Sequence, residues 1–265
     1  MSHDLQPPQP TVHAPGRALP EGRESPEIPA AAHPECPDNF WWVWDAGPCP
    51  PTHNMAWDEA LLHFVAREDS RPVLRLYGWT VPAASFGYFQ RYQTVAAATP
   101  LRPLVRRPTG GGLVPHASDW TYALAIPAGH SWHRLRAEES YIRLHTWLQT
   151  AFRDVGIPTE LAPEARRPRP GCCFEGHERH DLLWNGRKIA GAAQRRTRTG
   201  LLIQGSIQPP AAGWDRATFH QALLHAAQLL WGVRWKAFEP PADLIRHHGE
   251  LLQTRYDQPA YHRRR

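Results

Sequence analysis

Apolar residues recur at helical spacing in the middle of the chain. Between Glu138 and Val155, the residues Tyr141, Leu144, Leu148, Phe152 and Val155 fall three or four apart, which predicts a helix with one face on a core. Asn54 can cap a second helix running to Arg67, with Asp58 and Glu59 in its first turn and Leu61, Leu62 and Val65 on the buried side. Residues 215 to 231 read as a third. Short stretches rich in β-branched or aromatic residues and bounded by Gly or Pro predict strands at Val73 to Tyr77, Ala83 to Phe89, Leu104 to Arg107 and Trp120 to Ile126, which read as a sheet. A second sheet segment is predicted from Asp181 to Trp184, Lys188 to Gln194 and Leu201 to Ile207. Its strands are separated by the turn pairs Asn185-Gly186 and Thr199-Gly200, whose backbones tolerate positive φ and favour hairpins. The expected fold class is α+β, a mixed, largely antiparallel sheet flanked by helices.

The pattern also divides the chain. Residues 1 to 37 contain nine prolines and no Phe, Trp or Tyr, too little apolar surface to offset the entropy of ordering them, and are expected to form a disordered leader. Phe40, Trp41, Trp42 and Trp44 open the folded domain, expected to span 38 to 256, with 257 to 265 as a basic tail. No apolar run approaches the roughly 18 residues a membrane helix needs. No basic segment followed by an apolar stretch opens the chain. A soluble, cytoplasmic protein with no membrane partner is expected.

Composition sharpens a few positions. Of the 30 basic residues all but Lys188 and Lys236 are Arg, so each lysine is a candidate for work that a compact ammonium does and a broad guanidinium does not. The net charge of +5 suits an acidic partner without specifying one, and no nucleic-acid role is expected. Cys36, Cys49, Cys172 and Cys173 have no Cys-x-x-Cys spacing, so free thiols are expected and no metal site. His177 and His180 beside Cys172 do not change that, because the set has no established ligand spacing.

Arg106-Arg107-Pro108-Thr109-Gly110-Gly111-Gly112 joins basic side chains to glycines whose backbone N–H groups can approach an anion or a carbonyl. It is neither a P-loop nor a dinucleotide fingerprint, and a flexible turn is the plainer reading of the glycines. Four further phrases accompany it in order: Asn54-Met55-Ala56-Trp57-Asp58-Glu59-Ala60, Leu76-Tyr77-Gly78-Trp79, Gly87-Tyr88-Phe89-Gln90, and Gly186-Arg187-Lys188-Ile189-Ala190-Gly191-Ala192-Ala193-Gln194.

In order and spacing these phrases resemble the family of lipoate-protein ligases and octanoyltransferases, which is related to the biotin ligases. The resemblance covers most of the expected domain and implies a biotin/lipoate ligase-like catalytic fold. It implies that the glycine loop and the lysine strand form a tunnel for an acyl chain, with Arg107, Gly110, Gly111, Gly112, His116 and Gly191 binding substrate. It also implies that Lys188 holds the oxyanion that develops at the acyl carbonyl. Cys173-Phe174 resembles the Cys-Phe pair of the cysteine-dependent octanoyltransferases, which implies that Cys173 is an acyl-accepting nucleophile. Two small buried apolar residues are the plainer reading of Cys172-Cys173. Gly112 stands where octanoyltransferases often carry Arg, Ala192 where Ser is common, and Glu175 to His180 replaces a more apolar stretch.

The implied function is transfer of an octanoyl or lipoyl group from acyl carrier protein to the lysine of a lipoyl domain, an E2 subunit or the glycine cleavage H protein, with no cofactor required. Two alternatives stand beside it. An ATP-dependent lipoate-protein ligase would need ATP and Mg, and a non-catalytic acyl-carrier binding protein would need neither.

Overall fold

The structure is a computed structural model that describes residues 39–67, 70–166, 176–209 and 214–264. The expected leader and the Cys172-Cys173 pair lie outside the described residues. Eight strands form the main sheet, in the order β11-β1-β2-β6-β10-β9-β8-β7. They are β1 (Phe40–Cys49), β2 (Val73–Trp79), β6 (Trp120–Pro127), β7 (Glu160–Leu161), β8 (Leu182–Trp184), β9 (Arg187–Arg196), β10 (Gly200–Ile207) and β11 (Arg234–Ala237). Only β1 pairs in parallel, with β11 and β2; the other neighbours are antiparallel. A second sheet of order β4-β3-β5 joins β3 (Ala83–Phe86), β4 (Leu104–Arg106) and β5 (Val114–His116).

Two expectations about the sheets are corrected. The early strands do not share one sheet, because β3 and β4 pair with β5 while β2 and β6 pair with each other. The late strands are not a separate segment either, since β10 runs antiparallel to β6 along its whole length. Alternation within a strand shows which side is buried but not which strand lies beside it. β3 also stops at Phe86, where Gly87 turns the chain.

Helices cover both faces. On one lie α4 (Ala137–Asp154) and α5 (Arg216–Trp231), on the other α1 (Pro51–Phe64) and α6 (Ala242–Leu251); α2 (Tyr92–Ala98), α3 (Ser131–Arg134) and α7 (Pro259–Arg263) are shorter. Strand alternation feeds the two layers. Leu74, Leu76, Tyr122, Leu124, Ile126, Leu201 and Ile203 pack towards α4 and α5, while Val73, Tyr77, Ala123, Ala125 and Leu202 pack towards α1. α5 starts at the predicted place because the Asp215 side chain accepts the Thr218 N–H at 2.7 Å, and it stops at Gly232, which takes the left-handed conformation.

The first helix begins earlier than expected. Pro51 stands in its first turn, a position where a missing N–H costs nothing, and Asn54, Asp58 and Glu59 lie inside the helix, fully buried. Asn54 is thus no cap: its Nδ2 donates to the Gly78 carbonyl at 2.8 Å and its Oδ1 accepts from Arg75 at 2.7 Å. The tail beyond residue 256 also needs correcting, because α7 packs into the fold. His262 Nδ1 accepts the Arg106 backbone N–H at 3.0 Å, and the Arg106 guanidinium donates to the His262 carbonyl at 2.8 Å. No helix among the described residues is long and apolar enough to cross a membrane.

Candidate functional site

A cavity of about 380 Å³ lies between the α1 face of the main sheet and the three-stranded sheet. The main sheet contributes Tyr77, Thr121, Gly191, Ala193, Gln204 and Ser206; Ser85, Arg107, Gly111, Leu113, Val114 and His116 come from the other side. Ala165 and Arg166, and then Gly176, His177 and Glu178, also line it. Its size suits a small ligand or the end of a flexible chain.

Lys188 enters this cavity near the start of β9. Its Nζ lies 2.7 Å from Asp181 Oδ2, with the lysine side chain 17% exposed and the aspartate fully buried. Asp181 is held from three sides, since Tyr141 Oη donates to Oδ1 at 2.5 Å and the Glu178 N–H donates to Oδ2 at 2.7 Å. Burial and the Asp181 carboxylate push the Tyr141 hydroxyl well above the ordinary phenol value, so Tyr141 serves as a neutral donor. Its oxygen in turn accepts the Ala192 N–H at 3.2 Å. A side chain at Gly191 has no room: a Cβ there would stand 2.7 Å from both Lys188 Cε and Nζ and 2.8 Å from Asp181 Oδ1. The glycine therefore leaves the space that the ammonium fills.

The glycine loop is held rigidly from behind. The Arg107 guanidinium donates from Nη2 to the carbonyls of Gly110 at 2.6 Å and Gly112 at 2.7 Å, and from Nη1 to Ser85 Oγ at 3.3 Å. Burial pulls Arg107 down to about 10, which still leaves it charged at neutral pH. Gly111 adopts φ +82°, which favours glycine, and its carbonyl rests on Gly87, where a Cβ would come within 2.0 Å of that oxygen.

A polar chain runs below the loop. His116 is buried and stacked on Trp79 at 3.8 Å between centroids. Its Nδ1 lies 2.8 Å from Asp119 Oδ2 and its Nε2 2.8 Å from Ser85 Oγ. Asp119 Oδ2 also accepts from Thr121 at 2.9 Å and Ser206 at 2.7 Å. Deeper still, Asp58 accepts from Arg75 and Tyr77, each at 2.8 Å, and from Gln204 at 2.6 Å. Burial raises Asp58 above the usual carboxylate value, and those three partners offset part of that rise.

Lys188, Arg107, Gly111, Gly112, His116 and Gly191 thus meet around one cavity, whereas Gly110 sits behind the wall as an acceptor for Arg107. Cys173 lies outside the described residues. Sequence reasoning missed Asp181, Tyr141, Ser85 and Asp119 as site residues. For Asp181 a signal existed, because it opens the hairpin that pairs Leu183 with Lys188. Tyr141 and Ser85 reach the cavity only through packing, and Asp119 lies behind it, held against His116. No group of three or more His, Cys, Asp or Glu among the described residues could hold a metal ion.

A mixed sheet with helices on both faces is the fold of lipoate-protein ligase catalytic domains of known structure. Lipoate-protein ligase A solved with bound ATP superposes with a TM-score of 0.70 at 15% identity, covering 84% of this chain and 98% of that one. A bi-partite lipoate protein ligase from Thermoplasma acidophilum, solved as part of a system with its E2 lipoyl domain, gives 0.63 at 16% identity, covering 85% and 96%. Residues 50–227 match the family model of the lipoyl protein ligase A/B catalytic domain, and the chain belongs to that family. The octanoyltransferase LipM of Staphylococcus aureus is 37% identical over 179 residues, 63% of this chain and 65% of the relative. LipM of Bacillus subtilis is 34% identical over 179 residues, 63% and 64% respectively. The matched region therefore spans just under two thirds of these relatives' length.

Proposed function

We propose that the protein is an octanoyl- or lipoyl-transferase that moves the acyl group from a carrier-bound thioester to the lysine of a lipoyl domain through an acyl-enzyme on Cys173, without ATP. The observation that carries this reading is the Lys188–Asp181 pair inside a cavity of the lipoyl protein ligase A/B fold. Sequence identity of 34–37% to octanoyltransferases, against 15% to the ligase solved with ATP, favours transfer over ligation. Acyl carrier protein as donor, and E2 subunits or the glycine cleavage H protein as acceptors, belong to the same proposal, as does a cytoplasmic address.

In the chain Cys173 stands three residues before Gly176, which lines the cavity. In the first step the Cys173 thiolate bonds to the thioester carbonyl carbon and the carrier thiolate leaves. In the second, the acceptor amine attacks the new thioester, loses its proton and releases Cys173. Both steps pass through an oxyanion, and the Lys188 ammonium, fixed by Asp181, is a preorganised donor to it.

Intact mass after mixing the protein with an octanoyl carrier, without acceptor or ATP, tests this. One octanoyl mass is expected on the wild type and on Cys172→Ala, and none retained on Cys173→Ala. Transfer only from free acid plus ATP, with pyrophosphate released, would replace this reading with ligation. Tight carrier binding without any transfer would leave a binding protein.

A further inference from the structure

The polar chain below the glycine loop has the connectivity of a nucleophilic triad. In a neutral imidazole, a carboxylate oxygen 2.8 Å from His116 Nδ1 fixes the proton on that nitrogen, so Nε2 accepts from the Ser85 hydroxyl 2.8 Å away. Trp79, stacked on the imidazole, holds the ring plane, and Trp79 Nε1 donates at 2.8 Å to Thr121, which donates to Asp119. Ser85 Oγ gives its proton towards His116, accepts from Arg107 at 3.3 Å, and keeps its remaining lone pair on an atom of the cavity wall. A nearby guanidinium favours the negative charge an attacking serine oxygen develops.

Position adds to connectivity. Ser206, which donates to Asp119, stands opposite Gly191 in the β9–β10 ladder, and Gly191 lies under the Lys188 ammonium. Ser85 and His116 therefore line the same cavity as Lys188 from its other side, and Ser206 ties Asp119 to the β9–β10 pair that carries the lysine. An oxyanion donor and a hydroxyl with its own base share the same enclosed space.

We propose that Ser85, His116 and Asp119 form a second nucleophilic centre, which takes a medium-chain acyl group from a thioester or activated ester and hydrolyses it when no acceptor amine is present. Ser85 Oγ bonds to the carbonyl carbon as its proton passes to His116 Nε2. The carbon–sulfur bond then breaks and the leaving thiolate takes that proton. Water, deprotonated by the same nitrogen, cleaves the serine ester to free acid and restores Ser85. Asp119 acts as a positioning residue that holds the imidazolium. The choice of acyl substrate rests on the proposed function; the presence of the nucleophile does not.

The test uses the full-length chain and two probes, an alkyl fluorophosphonate and p-nitrophenyl octanoate. Peptide mapping should find the phosphonyl group on Ser85 in the wild type and in Cys173→Ala, and nowhere in Ser85→Ala. His116→Asn should slow both phosphonylation and ester hydrolysis at least about ten-fold. Ser85→Cys, which keeps the side-chain shape, should still be acylated by the ester, so a misfolded Ser85→Ala does not end the test. Absence of label from Ser85 in folded Cys173→Ala, or a rate unchanged by His116→Asn, would overturn the proposal. Labelling of Ser85 by the fluorophosphonate without hydrolysis of the octanoyl ester would uphold the nucleophile and fault the acyl reading of the cavity.

Discussion

On the α4 and α5 face of the main sheet, eight of the twelve tryptophans pack with leucines and isoleucines around Trp41, which meets Trp132, Trp147 and Trp235 edge-on and Trp231 in a stack. On the α1 face the same strands send Arg75, Gln204 and Ser206 inward instead, and Asp119 joins them from just before β6. Each of those groups has partners: Arg75 pairs with Asp58, and Ser206 and Thr121 converge on Asp119. Removing one member of a buried ion pair typically costs about 3–5 kcal/mol, so such a face persists only when its groups are paired. The first face holds the strands together, and the second uses that rigidity to hold a cation, a histidine and a glycine loop around a cavity.

The comparison breaks most visibly at Trp147, which is buried and donates from Nε1 to the Leu223 carbonyl at 2.7 Å. Trp147→Ala should lower the free energy of unfolding by about 3–5 kcal/mol in urea denaturation, while leaving acyl-transfer activity per folded molecule nearly unchanged. A loss of activity beyond the loss of folded protein would show that the two faces are coupled.

Variants on the other face should do the opposite. Lys188→Arg keeps a positive charge but puts a broad guanidinium where Gly191 leaves room for an ammonium, and should cut turnover about ten-fold or more. Gly191→Ala puts a Cβ where the lysine head and the buried Asp181 carboxylate now stand, so both must shift, and turnover should fall, though somewhat less than in Lys188→Arg. Wild-type turnover in either would remove Lys188 from the chemistry.

The smallest effect sharpens the boundary between the faces. His145, on α4 beside Tyr141, is fully buried, and burial holds it at about 4 against an ordinary 6.5. Between those values the unfolded chain binds a proton that the fold excludes, so stability is complete above about pH 6.5 and falls as the pH drops towards 4. Burial similarly holds His130, His220 and His248 at about 4, so His145→Phe should shallow the acid loss of melting temperature by no more than about a quarter. An unchanged slope would mean that His145 is already protonated in the fold.

Helix α4 was legible because an apolar stripe at helical spacing is a local signal. β1 was not, because it runs between two parallel partners, and a parallel pair leaves no turn signature between its strands. Asn54 misled because the same side chain that can cap a helix can also be buried against Arg75, and only the neighbouring strand decides which.

By itself the sequence determined the α+β class, the family phrases with their glycines, and the scarcity of lysine that marks Lys188. Those are properties of residue type and spacing along the chain. Only the tertiary structure decided that Asp181 and Tyr141 flank that lysine, that Arg107 grips the loop from behind, and that Ser85, His116 and Asp119 fall in line. Ser85 is 31 residues from His116, and Ser206 is 87 from Asp119. Contacts between residues so far apart in the chain are set by which strands lie side by side and which faces they turn inward, and no local pattern carries that information.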